Sequence, residues 1–140
     1  MLKNIPKIIP PELLLILCEM GHGDELVIAD GNFPAASVGQ RVVYMSGSGA
    51  AEVFDAVLKL LPLDTYEKPL YLMEKVPGDN VETPIWDEYR DIAKKYTDAE
   101  FGSIERFAFY ERAKSAYAVI STGEEALYVN ILLKKGVVTD

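Results

Sequence analysis

The sequence predicts an α/β fold built in layers around a mostly buried sheet, and two observations predict it. Short apolar runs with the length of buried strands alternate along the chain with segments in which apolar residues recur at helical spacing. No linker, repeat or low-complexity tract divides the 140 residues, a length that suits one ordinary domain. Strands that alternate with helices are typical of a sheet covered by helices. We therefore expect residues 1–140 to form a single domain.

The first helix is predicted over residues 11–20. Pro11 suits the first turn of a helix, Glu12 meets the positive end of its dipole, and Gly21 supplies the natural end. The apolar residues of this segment cover more than one face, which predicts a helix buried on several sides or against another subunit. Cys18 lies in it and is expected to be a buried small hydrophobic residue rather than a reactive thiol.

The later elements follow from short apolar runs, which predict strands, and from apolar residues at helical spacing, which predict helices. In order they are a strand at 26–29, a strand at 41–45, a helix at 50–61, a strand at 70–73, a helix at 84–95, a short helix at 107–114, and two strands at 117–120 and 127–133. Turn residues separate them, such as Gly31 and Pro34 after the first strand and Gly123 between the last two.

Composition excludes several classes of function. The chain has 14 basic and 22 acidic residues and a formal net charge of −8, so it lacks the basic face that binding to nucleic acid or to an anionic membrane requires. Its longest apolar run, 13–18, is about a third of what a membrane span needs, and no signal-peptide pattern surrounds it. One cysteine cannot form an intramolecular disulfide. We expect a cytoplasmic protein.

The only histidine, His22, stands between two glycines just before the first predicted strand, and Asp30 directly follows that strand. Flanking glycines allow close backbone approaches, and an acid at the carboxyl end of a buried strand lies where α/β folds bind ligands. We interpret His22 and Asp30 as a candidate proton-transfer pair in which the carboxylate orients the imidazole. The alternative is an ordinary surface or core histidine.

A second group of candidates lies near the carboxyl terminus. Tyr128 and Asn130 are two apart in the last predicted strand, so both are expected on one face while Val129 points to the other. A hydroxyl and an amide on one face can hydrogen-bond a polyhydroxylated ligand; alternatively, Tyr128 packs as a hydrophobic residue and Asn130 marks a bulge or an edge. Arg106 stands at the entrance of the helix at 107–114, where its guanidinium can donate several hydrogen bonds to a site.

Two other patterns predict no site. The segment Gly47-Ser48-Gly49 precedes a helix, but neither a dinucleotide-binding nor a P-loop sequence is present, so a plain turn is expected. His22, Asp24 and Asp30 could together approach a metal ion, but without a second histidine or a cysteine the set is nonspecific. We expect neither a metal nor another cofactor.

Five sequence blocks carry a family resemblance. They are Ile-Ile-Pro-Pro-Glu-Leu-Leu at 8–14, Glu-Met-Gly-His-Gly-Asp-Glu at 19–25, Ala-Asp-Gly-Asn-Phe-Pro-Ala at 29–35, Arg-Phe-Ala-Phe-Tyr-Glu-Arg-Ala at 106–113, and Tyr-Val-Asn-Ile-Leu-Leu-Lys-Lys-Gly at 128–136. Together they resemble the RbsD/FucU family of sugar mutarotases and pyranases, in its L-fucose branch. The ribose pyranase branch usually has a histidine where this chain has Arg106.

The resemblance implies a three-layer α/β fold with a central, mostly parallel sheet flanked by helices, and assembly into ring-shaped homo-oligomers, commonly decamers. It implies a cofactor-independent isomerase that interconverts the α and β anomers of L-fucose by opening and closing the ring. His22 would be the catalytic acid/base, and Asp30, Arg106 and the segment 128–130 would contact the sugar. Tyr128 or a bound water would transfer the second proton that the reaction requires.

Three alternatives stay open at this point. The same polar pocket could serve a non-catalytic monosaccharide-binding component of a sugar uptake or regulatory system, a D-ribose pyranase, or a metal-dependent isomerase. Loss of His22 should abolish the activity of an enzyme but be tolerated by a binding protein.

Overall fold

A computed structural model describes residues 1–139. The helices and strands of this range are, in chain order, α1 (Pro11–Glu19), β1 (Glu25–Ala29), α2 (Ala35–Val38), β2 (Val42–Met45), α3 (Ala50–Leu58), β3 (Leu70–Met73), α4 (Pro84–Ala93), β4 (Gly102–Ile104), α5 (Arg106–Ser115), β5 (Ala118–Thr122) and β6 (Ile131–Lys134).

The six strands form one sheet in the order β2-β5-β1-β6-β3-β4. The pairs β1–β5, β2–β5 and β3–β4 are parallel, whereas β6 runs antiparallel to both of its neighbours, β1 and β3. Five strands therefore end at the same edge of the sheet, and β6 begins there. We call this edge, which holds Ala29 and Ile131, the carboxyl edge, and the opposite one, which holds Glu25 and Lys134, the amino edge.

Alternating residues of the strands divide the core between the two faces of the sheet, as the strand period of two requires. Leu26 and Ile28 of β1 belong to a core cluster that includes buried residues of α1, α3 and α4. Val27 and Ala29 belong to a second cluster that includes residues of α2 and α5. Three helices thus cover one face and two cover the other. The expected three-layer fold with a central, mostly parallel sheet is confirmed.

Two short elements were not predicted from the sequence. Helix α2 has four residues, which is about one turn and too short for a periodic apolar pattern. Strand β4 has three residues and pairs only with β3, at the end of the sheet. It begins with Gly102 directly opposite Tyr71, and a Cβ atom at that position would lie 2.6 Å from the tyrosine ring. Position 102 is therefore a glycine because the backbone there lies too close to the Tyr71 ring for any side chain.

The last strand begins at Ile131, so the predicted strand start at 127 is wrong. Tyr128 has a φ of 59°, in the left-handed region that an extended strand cannot contain. The expectation that Tyr128 and Asn130 project from one face of a strand is therefore wrong as well. Val129 is fully buried. The segment 128–130 is an irregular approach to the sheet.

Helix α1 buries one face and leaves another uncovered. Leu13, Ile16 and Leu17 are buried against the sheet, whereas Leu15 is 60% exposed and Cys18 is exposed. The expectation that Cys18 is buried is wrong within one chain because the residue lies on the outer side of the helix. None of the helices within residues 1–139 is long and apolar enough to cross a membrane.

Candidate functional site

Polar side chains collect at the carboxyl edge of the sheet, where β1 ends and β6 begins. The backbone N–H of Asp30 donates to Asn130 Oδ1 over 2.9 Å, which ties the two segments together although they are 100 residues apart. The Asp30 carboxylate accepts a hydrogen bond from the backbone N–H of Asn32 over 2.9 Å. Asn130 is only 6% exposed, so its amide is held in place by the surrounding core.

The carboxyl group of Asp30 is half-buried, and its surroundings destabilise the charged form. Burial raises the pKa of Asp30 above its usual range, and the negative charge of Glu124 adds to the rise. Hydrogen bonds from Asn32, Phe33 and Asn130 act in the opposite direction without cancelling it. A charged group that is destabilised in the free protein is typical of a site that binds a polar ligand.

Tyr128 lies beside this cluster with its hydroxyl engaged. The Oη atom donates to Asp79 Oδ2 over 2.6 Å and accepts from the backbone N–H of Val76 over 3.1 Å. The hydrogen bond to Asp79 raises the pKa of the tyrosine hydroxyl. The indole N–H of Trp86 donates to the Tyr128 carbonyl oxygen over 2.7 Å, which helps to hold the backbone in its left-handed conformation.

Val129 anchors the segment from within the core. Its side chain is fully buried, and its carbonyl oxygen accepts a hydrogen bond of 2.6 Å from the hydroxyl of Tyr89 on α4, which is also fully buried. The side chain of Val129 therefore faces the protein rather than solvent. Consecutive carbonyl groups of Tyr128 and Val129 are held by aromatic side chains of one helix.

Arg106 is the first residue of α5, as the sequence predicts, and it stands directly after β4 at the carboxyl edge. Its guanidinium lies 4.5 Å from the centre of the exposed Phe107 ring. Its positive charge acts on the hydroxyl of Tyr128 and favours the ionised form, so the two side chains share one region of the surface. Among the side chains of residues 1–139, Arg106 has no ion-pair partner within 4.0 Å. It is available to donate to a ligand.

His22 lies at the amino edge, in the loop between α1 and β1. Its Nε2 atom is 3.1 Å from Oδ1 of Asp64, and its ring centre is 5.5 Å from that of Tyr66. The histidine side chain is 42% exposed, whereas the Asp64 side chain is 4% exposed. One nitrogen of the ring is thus fixed by a buried carboxylate, and the rest of the ring faces outward.

His22 and Asp30 stand at opposite ends of β1. The strand has five residues and rises by roughly 16 Å. Because of this separation, the predicted proton-transfer pair of His22 and Asp30 does not form within one chain, and the partner of His22 is Asp64 instead. The structure gathers Asp30, Arg106 and the 128–130 segment at the carboxyl edge and leaves His22 at the other.

Sequence reasoning missed the residues that orient the candidates. Asp64, Asp79, Trp86 and Tyr89 each make one of the contacts described above. Asp64 carries a local signal, since its carboxylate accepts from the next two backbone N–H groups, as aspartates in turns commonly do. Asp64 and His22 are 42 residues apart in the sequence, so the spacing of residues along the chain gives no sign that they pair. Within residues 1–139 no three His, Cys, Asp or Glu side chains group as metal ligands.

A family model described as the RbsD / FucU transport protein family matches residues 3–138. The chain belongs to the RbsD / FucU family. The chain superimposes on FucU from Bifidobacterium longum with a TM-score of 0.95 at 60% sequence identity, covering 98% of this chain and 100% of that one.

Two fucose mutarotases are also similar over nearly their whole length. The chain is 51% identical over 144 residues to the fucose mutarotase of Homo sapiens, covering 97% of this chain and 94% of the human protein. The fucose mutarotase of Streptococcus pneumoniae, solved in complex with L-fucose, superimposes with a TM-score of 0.93 at 44% identity, covering 99% of this chain and 100% of that one.

Proposed function

We propose that this chain is an L-fucose mutarotase, an isomerase that interconverts the α and β anomers of L-fucose without a cofactor. The observation that carries the proposal is the similarity, across nearly the whole chain, to fucose mutarotases, one of them solved with L-fucose. The free guanidinium of Arg106 at an edge that also holds Asp30 and Asn130 supports it, because a sugar offers hydroxyl groups to such donors and acceptors.

The carboxyl edge is the proposed sugar-binding surface. Arg106 donates to sugar oxygens, and the Asp30 carboxylate accepts from sugar hydroxyls, which offsets the cost of its burial. Tyr128 and Asn130 contribute a hydroxyl and an amide, while Val129 keeps the segment between them rigid through its buried carbonyl. Binding of L-fucose at this edge is the role we assign to these five residues.

A complete site needs a second copy of the chain. His22 lies at the far end of β1 from Asp30, and one sugar ring does not span roughly 16 Å. In a ring of identical subunits, the amino edge of one copy can face the carboxyl edge of the next. We infer that His22 of one copy acts on a sugar held by another copy, in a ring-shaped homo-oligomer with ten as the expected number of subunits.

The proposed chemistry is proton transfer at the sugar ring. His22 accepts the proton of the anomeric hydroxyl while the C1–O5 bond breaks, C1 becomes an aldehyde carbon, and O5 takes a proton from a second donor. Rotation about C1–C2 and the reverse steps then close the ring with the other anomer. A bound water is the better second donor because the Tyr128 proton is committed to Asp79. A positioned acid/base contributes ~10²–10⁴-fold to such a step.

Saturation-transfer NMR of L-fucose tests the proposal because it measures anomer exchange at equilibrium. We expect the wild-type protein to accelerate exchange, and His22→Ala to lose most of the acceleration while L-fucose binding stays measurable. Lys94→Ala is the control, since this lysine directly follows α4, its side chain is 78% exposed, and it makes an ion pair with the exposed Asp91. Binding without exchange in the wild type would instead identify a sugar-binding protein, and wild-type exchange in His22→Ala would remove His22 from the mechanism.

A further inference from the structure

Glu124 lies where three loops of the carboxyl edge meet. It belongs to the loop that follows β5, and its backbone carbonyl oxygen accepts a hydrogen bond of 2.9 Å from the N–H of Gly31, in the loop that follows β1. Its carboxylate reaches the first residue of α3, where Oε1 accepts from the Ala50 backbone N–H over 3.3 Å. One residue thus joins the loop after β1, the loop after β5 and the start of α3.

The turn that carries Glu124 is held by the glutamate's own carboxylate. Oε2 accepts from the backbone N–H groups of Glu125 over 3.2 Å and Ala126 over 3.3 Å. The backbone N–H of Glu124 donates to Thr122 Oγ1 over 3.2 Å, and that hydroxyl donates to the Ala29 carbonyl over 2.8 Å. Because Thr122 is buried and Ala29 ends β1, the turn is also connected to the core of the sheet.

The glycine-rich segment at 47–49 forms the third side of this meeting point. It precedes α3, and the N-terminus of a helix attracts negative charge because its first N–H groups lack partners within the helix. The Glu124 carboxylate supplies that charge from another part of the chain. The Gly123 N–H donates to the Ser48 carbonyl over 2.9 Å, and a Cβ at Gly123 would lie 2.1 Å from the Ser46 carbonyl oxygen, so the two loops touch through their backbones.

Asp30, the proposed acceptor of sugar hydroxyls, directly precedes the residue that bonds to Glu124, and the negative charge of Glu124 acts on its carboxyl group. Neighbouring elements of this edge carry four other titratable groups, namely Asp79, Tyr89, Arg106 and Tyr128. Tyr89 stays neutral because burial raises its pKa. The aspartate and the arginine act on the hydroxyl of Tyr128. Glu124 is thus linked to Asp30 both by the backbone and by charge.

We propose that Glu124 is a positioning residue for sugar binding: by joining the loop after β1 to the loop after β5 and to the start of α3, it holds the Asp30 carboxylate where sugar hydroxyls reach it. The proposal rests on the proposed mutarotase function and adds a residue that acts without touching the sugar. The carboxylate oxygens of Glu124 accept from three backbone N–H groups of its own chain, so its effect on the sugar passes through Asp30.

Removal of the carboxylate should loosen the loop of Asp30 and weaken L-fucose binding. In Glu124→Ala three backbone N–H groups lose their acceptor, so we expect about tenfold weaker binding in calorimetric titrations of the full-length protein. Glu124→Gln keeps one oxygen for the Ala50 N–H, so its affinity should fall by only about threefold. Without sugar, hydrogen–deuterium exchange of peptides that cover residues 29–33 should be faster in Glu124→Ala than in the wild type.

The pH profile of binding separates positioning from a general loss of stability. Burial raises the pKa of Asp30, and the charge of Glu124 adds to the rise, so binding that needs the Asp30 carboxylate is lost as the pH falls through that pKa. Glu124→Gln removes the charge and lowers the pKa of Asp30. The pH at which half of the L-fucose affinity is lost should therefore be lower in Glu124→Gln than in the wild type, whereas a variant that is merely less stable keeps the wild-type value.

Two matched controls remove an equal charge nearby. Glu125→Gln changes the exposed neighbour of Glu124 in the same turn. Glu52→Gln changes the other carboxylate at the start of α3, which accepts from the Gly49 N–H over 3.0 Å but has no bond to the loop of Asp30. We expect wild-type L-fucose affinity and pH profile in both. Wild-type affinity in a folded Glu124→Ala, an unmoved pH profile in Glu124→Gln, or an equal loss in Glu52→Gln would contradict the proposal.

Failure of the proposed function gives a different result. If the wild type binds L-fucose without exchanging its anomers, the mutarotase assignment fails, and the affinities of the Glu124 variants still decide the positioning role. If the wild type binds no L-fucose, both proposals fail. If Glu124→Ala does not fold, the affinity and the pH profile of Glu124→Gln give the answer.

Discussion

Removing the hydroxyl of Tyr89 should destabilise the protein through one hydrogen bond. Tyr89 is fully buried, and its Oη donates to the carbonyl oxygen of Val129, which is buried as well, over 2.6 Å. In Tyr89→Phe the ring remains and keeps its edge-to-face contact with Phe54, whose centre is 5.0 Å away. The variant therefore deletes the hydrogen bond with little change in packing.

The magnitude follows from the carbonyl that loses its donor. A buried acceptor without a partner costs about 1–3 kcal/mol, so the free energy of unfolding should fall by about 2 kcal/mol. With an m-value of roughly 2 kcal/mol per molar urea, the unfolding midpoint should decrease by about 1 M. L-fucose binding should also weaken, because the Val129 carbonyl anchors the segment between Tyr128 and Asn130.

Urea unfolding followed by fluorescence measures the effect, with the protein concentration held constant because association contributes to stability. Tyr96→Phe is the control: its hydroxyl donates to Asp55 over 2.5 Å, but the residue is 36% exposed, so water can replace the lost partner. We expect the urea midpoint of Tyr96→Phe to fall by less than half as much as that of Tyr89→Phe. Equal midpoints for the two variants would refute the reasoning about the buried carbonyl.

Three further predictions concern binding, pH and assembly. Arg106→Ala should weaken L-fucose binding about ten- to a hundredfold in calorimetric titrations, more than D-ribose binding, and Arg106→Lys should restore it only in part because an ammonium lacks the planar fork. Unchanged L-fucose affinity in a folded Arg106→Ala would leave this arginine without a role in binding. Because burial raises the pKa of Asp30, the stability that its protonated form contributes is present at acid pH and is lost as the pH rises through the folded pKa. Asp30→Asn should therefore raise the urea midpoint at neutral pH and lose this advantage at acid pH, whereas an equal gain at both would contradict the assignment. With Leu15 60% exposed and Phe107 61% exposed, light scattering should give a mass far above 15.5 kDa, and a monodisperse monomer at micromolar concentration would argue against the ring.

The fold could be predicted wherever a pattern is local and long enough. Residues 26–29 and 70–73 are apolar runs that lie in β1 and β3, and Pro11 and Pro84 begin the helices α1 and α4. The four-residue helix α2 and the three-residue strand β4 escaped prediction because neither is long enough to show a period. The strand start at 127 failed because Tyr128 takes a left-handed conformation that an apolar pattern does not reveal.

The candidate site likewise contains features that could be predicted from the sequence and features that could not. Arg106 could be placed at a helix start because a helix boundary is a local property. The pairing of His22 with Asp64 could not be predicted, since the two residues are 42 positions apart and meet only because both loops are anchored beside the end of β6. The exposure of Cys18 likewise depends on which face of α1 packs against the sheet.

The sequence by itself determined the α/β class, most of the elements and the identity of the polar residues available for chemistry, because strand and helix periods and turn residues act over a few neighbouring positions. Only the tertiary structure decided which of those residues meet. The antiparallel insertion of β6 between β1 and β3 brings Asn130 to Asp30 at one edge and carries Lys134 and Lys135 to the loops of His22 and Asp64 at the other. Strand order is a long-range choice made by the packing of the whole core, and for this reason the sequence did not reveal that His22 meets Asp64 and that Asp30 meets Asn130.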